Sequence, residues 1–401
     1  MIRPIQYIDL FAGCGGISLG LYNAGLKGIF AVEKHLDAFQ TLKHNLINNR
    51  THFYWPEWLS LENWDITKLL RTKSDKLIQL RGQIDLVVGG PPCQGFSVAG
   101  QRRTSDKRNN LIYSYLEFVE IIQPRVIMFE NVRGFTLKFS NSKKHGKVAS
   151  SEIVLQNLIK LGYTDARGEV VNFAEYGVPQ RRQRFVVIAT RENLSDAIFS
   201  TLEGNKKNFL DAKGIDATIS CQAALSDLER KHGTTVCPDS PRFFSGIVSA
   251  PQTEFQKYLR LAGKVNYVPD SHRYVNHTPE IIGTFELLLE KAPRNKTIKD
   301  ERAFYGVKKR SLMVLDPNEP APTITTIPDD FVHYSEPRVM TVRECARLQT
   351  FSDWFEFKGP YTTGNKERVK QVPRYTQVGN AVPPLFAEQL GIAIKQVLCN
   401  E

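Results

Sequence analysis

The chain has 401 residues, 41% hydrophobic and 24% charged, the composition of a globular protein long enough for about two domains. No apolar run approaches the roughly 20 residues that cross a bilayer, and six cysteines scattered without a Cys-x-x-Cys pair suggest neither a zinc cage nor a disulfide framework. The net charge of +11 asks for a polyanionic partner, nucleic acid first and a membrane surface as the alternative.

In chain order, the first part alternates strand and helix signals. "MIRPIQYIDLF" runs directly into a short apolar strand without the basic flank, apolar core and cleavage site of a secretory signal, which predicts a cytoplasmic protein with no membrane partner. "ISLGLYNAG" predicts a helix stopped by glycine, "GIFAVE" a second strand, "IDLVVGG" a third, and "YSYLEFVEIIQ" a helix ended by Pro124. "RVIMFENV" reads as a buried strand, "SSEIVLQNLIKLG" as a helix capped by serine and closed by Gly162, and "RFVVIAT" as one more strand. This alternation predicts an α/β fold with a parallel sheet and helices on both faces, where ligands sit beyond the carboxyl ends of strands.

After Thr190 the rhythm breaks. Residues from about Arg191 to Pro337 carry prolines, charges and aromatics with no clean period, and read as a smaller, irregular second domain. "TVRECARLQTF" is helical again, and "NAVPPLFAEQLGIAIKQVL" predicts a C-terminal helix with prolines near its start. The expected divisions are 1–190, 191–337, a connecting segment 338–374, and 375–401 returning to the first domain. The basic stretches "QRRTSDKR", "KKHGK", "QRRQR", "VKKR" and "NKERVK" lack the apolar face of a membrane helix and read as loops.

Three strand ends carry residues suited to chemistry. In "YIDLFAGCGGISLG", Gly13, Gly15 and Gly16 let backbone approach a ligand, and Glu33 ends the next strand where a ribose-binding acid belongs. A tight turn without ligand is the alternative, and Ser18 at the last glycine position of G-x-G-x-x-G weakens a nicotinamide reading. In "IDLVVGGPPCQGFS", Pro91 and Pro92 stiffen the approach to Cys93, whose polar, flexible neighbours argue against a buried structural thiol. Glu130 ends the apolar run "VIMF", where burial would raise its pKa and make it a proton donor, an ion-paired carboxylate being the alternative. Arg182 and Arg184 lead into a strand, and period-two geometry turns at least one inward, where it needs an anion or polar ligand.

Taken in order, "DLFAGCGG", Glu33, "WDI", "GGPPCQGFS", "FENV", "QRRQR", "TVRECARLQTF" and "QVGNAVPP" closely resemble the DNA (cytosine-5)-methyltransferase family along the whole chain. The resemblance implies a Rossmann-like methyltransferase sheet plus a target-recognition domain. It implies S-adenosyl-L-methionine as cofactor, with Phe11 against the adenine, Gly13, Gly15 and Gly16 in the turn, and Glu33 on the ribose. Asp65, Ile66 and Pro91 would lie at the cofactor, with Asn380 and Val382 closing its methionine side. Cys93 would attack carbon 6 of a flipped cytosine, Glu130 would protonate nitrogen 3, and Arg184 would hold the carbonyl oxygen with Arg182 and Gln180 buttressing. Gln94, Ser97, Arg102 and Arg103 belong to the implied mobile loop over the substrate, double-stranded DNA.

No metal is implied. Like bacterial modification enzymes, such a protein is expected as a monomer that works beside a cognate restriction endonuclease acting on the same site. Arg242, Lys308, Lys309 and Arg310 are contact candidates in the irregular region. A tRNA cytosine-5 methyltransferase keeps the same chemistry and is the alternative. A zinc cytosine deaminase fails, because Phe96 stands where P-C-x-x-C needs its second cysteine and no H-x-E occurs. A silent homologue has no support while Cys93, Glu130 and Arg184 are all present.

Overall fold

The computed structural model describes residues 3–92, 110–137, 149–260, 263–299, 301–307, 309, 311–363 and 371–399. Cys93, Gln94, Ser97, Arg102, Arg103, Lys308 and Arg310 lie outside the described residues. The chain divides into two compact units: the first is Met1–Asn172, Gln183–Lys206 and Ala387–Glu401, the second Phe173–Arg182 and Lys207–Phe386.

In chain order the elements begin with β1 (Gln6–Leu10), α1 (Gly16–Asn23), β2 (Lys27–Val32), α2 (Leu36–Leu42), α3 (Ile66–Thr72), α4 (Ser74–Ile78) and β3 (Leu86–Gly89). There follow α5 (Asn110–Ile122), β4 (Val126–Val132), α6 (Ser150–Lys160), β5 (Arg167–Asn172), β6 (Gln180–Arg181), β7 (Gln183–Thr190) and α7 (Ser195–Ala212). The rest comprises α8 (Cys221–Leu225), β8 (Thr234–Val236), β9 (Phe244–Gly246), α9 (Glu254–Leu259), α10 (Pro279–Lys291), β10 (Met313–Val314), β11 (Ala321–Pro322), β12 (Phe331–Val332), α11 (Val342–Leu348), α12 (Arg374–Asn380) and α13 (Pro384–Cys399).

The first unit is built on a six-stranded sheet in the order β2-β1-β3-β4-β7-β5 with helices on both sides. Phe30, Val87, Ile127 and Val187 from four of its strands join Leu69 of α3, Phe118 and Val119 of α5 and Leu158 of α6 in one apolar core. Burying each such side chain contributes about 1.5–3 kcal/mol. The sheet is mixed, which corrects the expectation of a parallel one. β1, β2, β3 and β4 run parallel, but β7 is antiparallel to both β4 and β5. A parallel return needs a crossover of a dozen or more residues, usually a helix. Only the short stretch 173–182 separates β5 from β7, and it carries a single turn of 3-10 helix, Phe173–Tyr176.

Helix ends follow local chemistry. Gly25 adopts a positive φ of 81° just after α1, and Gly162 one of 94° after α6. The serine cap expected on α6 is not formed: Ala149 is the N-cap, and Ser150 and Ser151 lie inside the first turn.

The stretch after Thr190 is more regular than its sequence suggests. In α7 the buried Ile198, Phe199, Leu202 and Leu210 do follow helical spacing, but Gly204 and Asn205 interrupt the signal. For α10, Thr278 caps the helix by accepting from Ile281 N–H, and Pro279 occupies its first turn, so "HTPE" is a helix start. Phe285 and Leu288 of α10 pack with Ile298, Leu312, Val314, Val332 and Val339 in the second unit's own core. α11 begins with a reciprocal capping box between Thr341 and Glu344.

Candidate active site

β1 delivers the chain into the turn that precedes α1. Phe11 holds a positive φ of 58°, an outlier for a bulky residue that persists only where surrounding structure enforces it. Gly13 (φ 56°) and Gly15 (φ 93°) take the left-handed conformations that glycine adopts without strain. Among the described residues nothing lies within 4 Å of a Cβ built on Gly13, which leaves room against this turn, and Gly16 begins α1.

Glu33 closes the turn from the side. Its Oε2 accepts from Gly13 N–H at 2.9 Å and its Oε1 from His35 N–H at 2.8 Å, and burial pushes its pKa up. The Trp64 N–H donates to the Glu33 carbonyl at 2.8 Å, so "WDI" sits beside the acid. Asp65 is the N-cap of α3, accepting from Thr67 N–H at 2.9 Å, and pairs with Lys34 at 2.9 Å. Burial works against its charge, but the Thr67 hydroxyl and Lys34 bring its pKa down to about 2. Ile66 begins α3 and is buried in the core.

Two further residues act here. Asp9 lies fully buried on β1 and accepts from the Ser18 hydroxyl at 2.6 Å through Oδ2, while its Oδ1 has no hydrogen bond among the described residues. Burial pushes its pKa up to about 7, opposed by the Ser18 bond and reinforced by the Glu33 charge. A carboxylate inside an apolar strand was the signal for Asp9. Ser18, the residue that spoils the dinucleotide fingerprint, is its donor.

The second strand end is that of β3. A Cβ on Gly89 would fall 2.6 Å from the Leu10 carbonyl oxygen, so only glycine fits where β3 passes β1. A Cβ on Gly90 would stand 3.0 Å from Glu130 Oε2, which places that carboxylate against the backbone leading to Cys93. Asn131 donates through Nδ2 to the Pro91 carbonyl at 3.1 Å and ties the same segment to β4. Its part was not foreseen, although a polar residue following Glu130 in a buried strand was the available cue.

Glu130 Oε1 pairs with Arg184 Nε at 2.9 Å, both side chains being nearly buried, so the ion-paired carboxylate, the alternative for this residue, is the arrangement found. Register explains the meeting: Arg184 of β7 lies opposite Val132 of β4, two residues from Glu130 on the same face. Arg184 also donates through Nη1 to the Gln183 carbonyl at 2.8 Å.

Gln180 and Arg182 belong to the second unit. Arg182 is buried and donates to the carbonyls of Ile324 (3.2 Å) and Gly379 (2.9 Å). Gln180 donates to Gln349 Oε1 at 2.9 Å and accepts from Ile324 N–H at 2.7 Å. The inward arginine is thus met by backbone carbonyls. Gln349 donates to the carbonyls of Val378 (2.7 Å) and Ala381 (3.2 Å), which fixes the backbone bearing exposed Asn380 and buried Val382. These two also lie in the second unit, whereas Phe11, Gly13, Glu33, Asp65, Pro91, Glu130 and Arg184 all lie in the first.

Among the described cysteines, burial pushes the thiols of Cys14 and Cys221 up to about 12, which makes both poor nucleophiles. The site therefore offers a cradle with two buried acids and, at the ends of β3 and β4, a carboxylate and guanidinium side by side. The latter pair sets a hydrogen-bond donor and an acceptor next to each other at these strand ends.

A family model described as C-5 cytosine-specific DNA methylase matches residues 5–396. The Type II methyltransferase M.DdeI of Desulfomicrobium norvegicum is 32% identical over 402 residues, covering 96% of this chain and 87% of the relative. The Type II methyltransferase M.Eco47II of Escherichia coli is 29% identical, covering 98% of this chain and 79% of the relative. Among solved structures, a candidate DNA modification methyltransferase encoded within an E. coli prophage superposes with a TM-score of 0.65 at 25% identity, covering 99% of this chain and 100% of the other. The S. pombe Dnmt2 methyltransferase shares the fold at 15% identity, with a TM-score of 0.53 and coverage of 99% and 100%.

Proposed function

The chain belongs to the C-5 cytosine-specific DNA methylase family and is a cytosine-5 DNA methyltransferase of the Type II kind; from that premise we propose that it acts on a cytosine flipped out of duplex DNA through a covalent bond to Cys93. The observation that carries this reading is the Glu130–Arg184 pair set against Gly90, three residues before Cys93.

The family implies S-adenosylmethionine, and the first unit's residues fit it. The room at Gly13 admits a ligand close to backbone, Glu33 offers acceptor lone pairs for hydroxyl groups, and buried Asp9 and Glu33 favour a cation. When bound, the cofactor supplies a methyl group made electrophilic by its sulfonium.

The Cys93 thiolate adds to carbon 6 of the cytosine. In the free protein Glu130 is held beside Arg184; with the cytosine in place Arg184 donates to the carbonyl oxygen, and Glu130, having taken up a proton from water, gives it to nitrogen 3 as electrons move from the ring. Carbon 5 thereby becomes the nucleophile. After methyl transfer Glu130 takes its proton back from nitrogen 3, water accepts the carbon 5 proton, and the electron pair of that C–H bond re-forms the carbon 5–carbon 6 double bond as the carbon 6–sulfur bond breaks and Cys93 leaves as thiolate. A free thiol near pKa 8.5 is only a few per cent ionised at neutral pH, so cations near Cys93 would raise that fraction.

In this reading the first unit binds cofactor, the second recognises the target, and Arg182 and Gln180 are positioning residues within the second unit. Gln94, Ser97, Arg102 and Arg103 contact the DNA. The enzyme works as a monomer in the cytoplasm, marking DNA that a cognate restriction endonuclease would otherwise cut. Support for the defence role is the Type II character of the relatives. Among the described residues, no helix is long and apolar enough to cross a membrane.

The test is transfer of labelled methyl from S-adenosylmethionine to duplex DNA and, in parallel, to tRNA. DNA is expected to be labelled, Cys93→Ser to abolish labelling, and 5-fluorocytosine in the DNA to trap a covalent complex. Label in tRNA alone, or an active Cys93→Ser protein, would overturn the reading.

A further inference from the structure

In the second unit β8 and β9 form a two-stranded antiparallel ribbon, with Val236 opposite Phe244 and both side chains 53% exposed. Residues 237–243 connect the strands. On the other side of β9 the backbone of Arg273 bridges Ser245, and Tyr274 N–H donates to the Phe244 carbonyl at 2.8 Å. Arg273 is therefore part of the ribbon's framework. Beside it lies a pocket of about 330 Å³ lined by Asp239, Ser240, Arg273, Tyr361, Thr362 and Arg374.

The two arginines of this pocket differ. Arg374 is committed: it pairs with Asp239 at 2.7 Å and donates to Ser271 Oγ at 3.1 Å and the Gly359 carbonyl at 2.9 Å. Arg273 pairs with no carboxylate among the described residues. Its guanidinium carbon lies over the rings of Phe243 (4.1 Å to the ring centre) and Tyr361 (3.7 Å), its Nη1 has a long bond of 3.4 Å to Ser240 Oγ, and its buried Nε has no partner among those residues. With two rings against it, the guanidinium is left its N–H edge for added hydrogen bonds, which lie in its own plane.

A planar fork with fixed orientation calls for two acceptors in that plane. Asp239 is itself engaged, by Arg374 on Oδ2 and by the Tyr361 hydroxyl (3.0 Å) and Cys237 thiol (3.1 Å) on Oδ1. Phosphate oxygens accept from many directions and need no fixed plane, whereas the guanine edge, O6 with N7, presents two acceptors in one plane. A two-stranded ribbon also has the width that a major groove admits. We propose that Arg273 reads a guanine of the recognition site from the major groove, with Phe243 and Tyr361 setting its plane. This specificity role rests on the DNA-methylating reading above.

The experiment uses the full-length protein, S-adenosylmethionine and duplexes randomised around a cytosine, read twice: by sequencing the bound fraction and by bisulfite sequencing of the methylated fraction. The wild type is expected to require guanine at one position. Arg273→Ala should lower that preference about 10- to 100-fold with other positions unchanged. Arg273→Gln, shorter but carrying one donor and one acceptor that match the N7 and N6 of adenine, should move the preference toward adenine and serves if the alanine variant does not fold, as thermal unfolding will report. An unchanged sequence preference in the variants, whether at full activity or with a uniform loss at every site, would overturn the assignment. Specific binding without methylation would fault the proposed chemistry and leave the Arg273 reading to the bound-fraction data.

Discussion

Asp9 offers a test in which stability and ligand binding respond in opposite senses. It is fully buried, and its pKa rises from 3.8 to about 7. That rise of roughly 3 units corresponds to about 4 kcal/mol, since each unit is 1.36 kcal/mol of preference for the protonated form. The sign follows from linkage: between the two pKa values the folded protein binds the proton and the unfolded chain does not, so stability falls as pH rises and levels off above about 7. Asp9→Asn cannot ionise and should remove this penalty. Against wild type, the free variant should gain about 2–3 kcal/mol on going from pH ~5 to pH ~8.5, measured by urea unfolding. With a cationic cofactor bound the preference reverses, because a nearby positive charge favours the carboxylate. Cofactor binding to wild type should therefore release a proton near pH 7, visible in calorimetry as a heat that depends on the buffer, whereas Asp9→Asn should bind more weakly with no such dependence. A stability difference that stays constant with pH would refute the buried-acid argument, and equal affinity in the variant would refute the link to the cofactor.

Other expectations follow from single contacts. Gly90→Ala places a Cβ 3.0 Å from Glu130 Oε2 and should displace that carboxylate from Arg184; single-turnover methylation should slow about 100-fold while calorimetric cofactor affinity is kept. Arg347, fully buried, binds Asp227 through both Nη atoms at 3.1 Å and Asp353 through Nε and Nη2 at 2.7 Å. Arg347→Met leaves buried carboxylates short of a partner and should cost about 3–5 kcal/mol in urea unfolding; a loss below about 1 kcal/mol would count against it. In the same unit burial lowers the pKa of His272 to about 4 and that of His333 to about 3. The unfolded chain takes these protons near pH 6.5, so stability should fall as pH drops from there toward about 4, and His272→Gln should flatten that slope in pH-dependent denaturation.

The glycine turn was legible because it combines positive-φ glycines with an acid one strand away, and Glu130 because a carboxylate in "VIMFENV" has no apolar reason to be there. Asn131 stood in the same string, but its bond to the Pro91 carbonyl joins residues far apart in sequence and carries no period. Asp9 and Ser18 were visible as polar residues in buried elements, yet their pairing depends on how β1 meets α1. The second unit was hardest to read. Its β8–β9, β10–β12 and β6–β11 pairs are strands of two or three residues, too short for alternation to show.

Strand polarity was also hidden, and it matters most for the site. Strands buried on both faces read as continuous apolar runs, so "RFVVIAT" carries no sign of its direction. Had β7 run parallel to β4, its first residues would lie at the amino edge of the sheet and Thr190 would stand near Glu130. Because it runs antiparallel, Arg184 at its beginning lies opposite Val132 at the carboxyl edge of β4, within 2.9 Å of the Glu130 carboxylate. The mixed sheet is thus what brings Arg184 to the Glu130 carboxylate, and that reversal sets a guanidinium at the strand ends where ligands of α/β sheets collect.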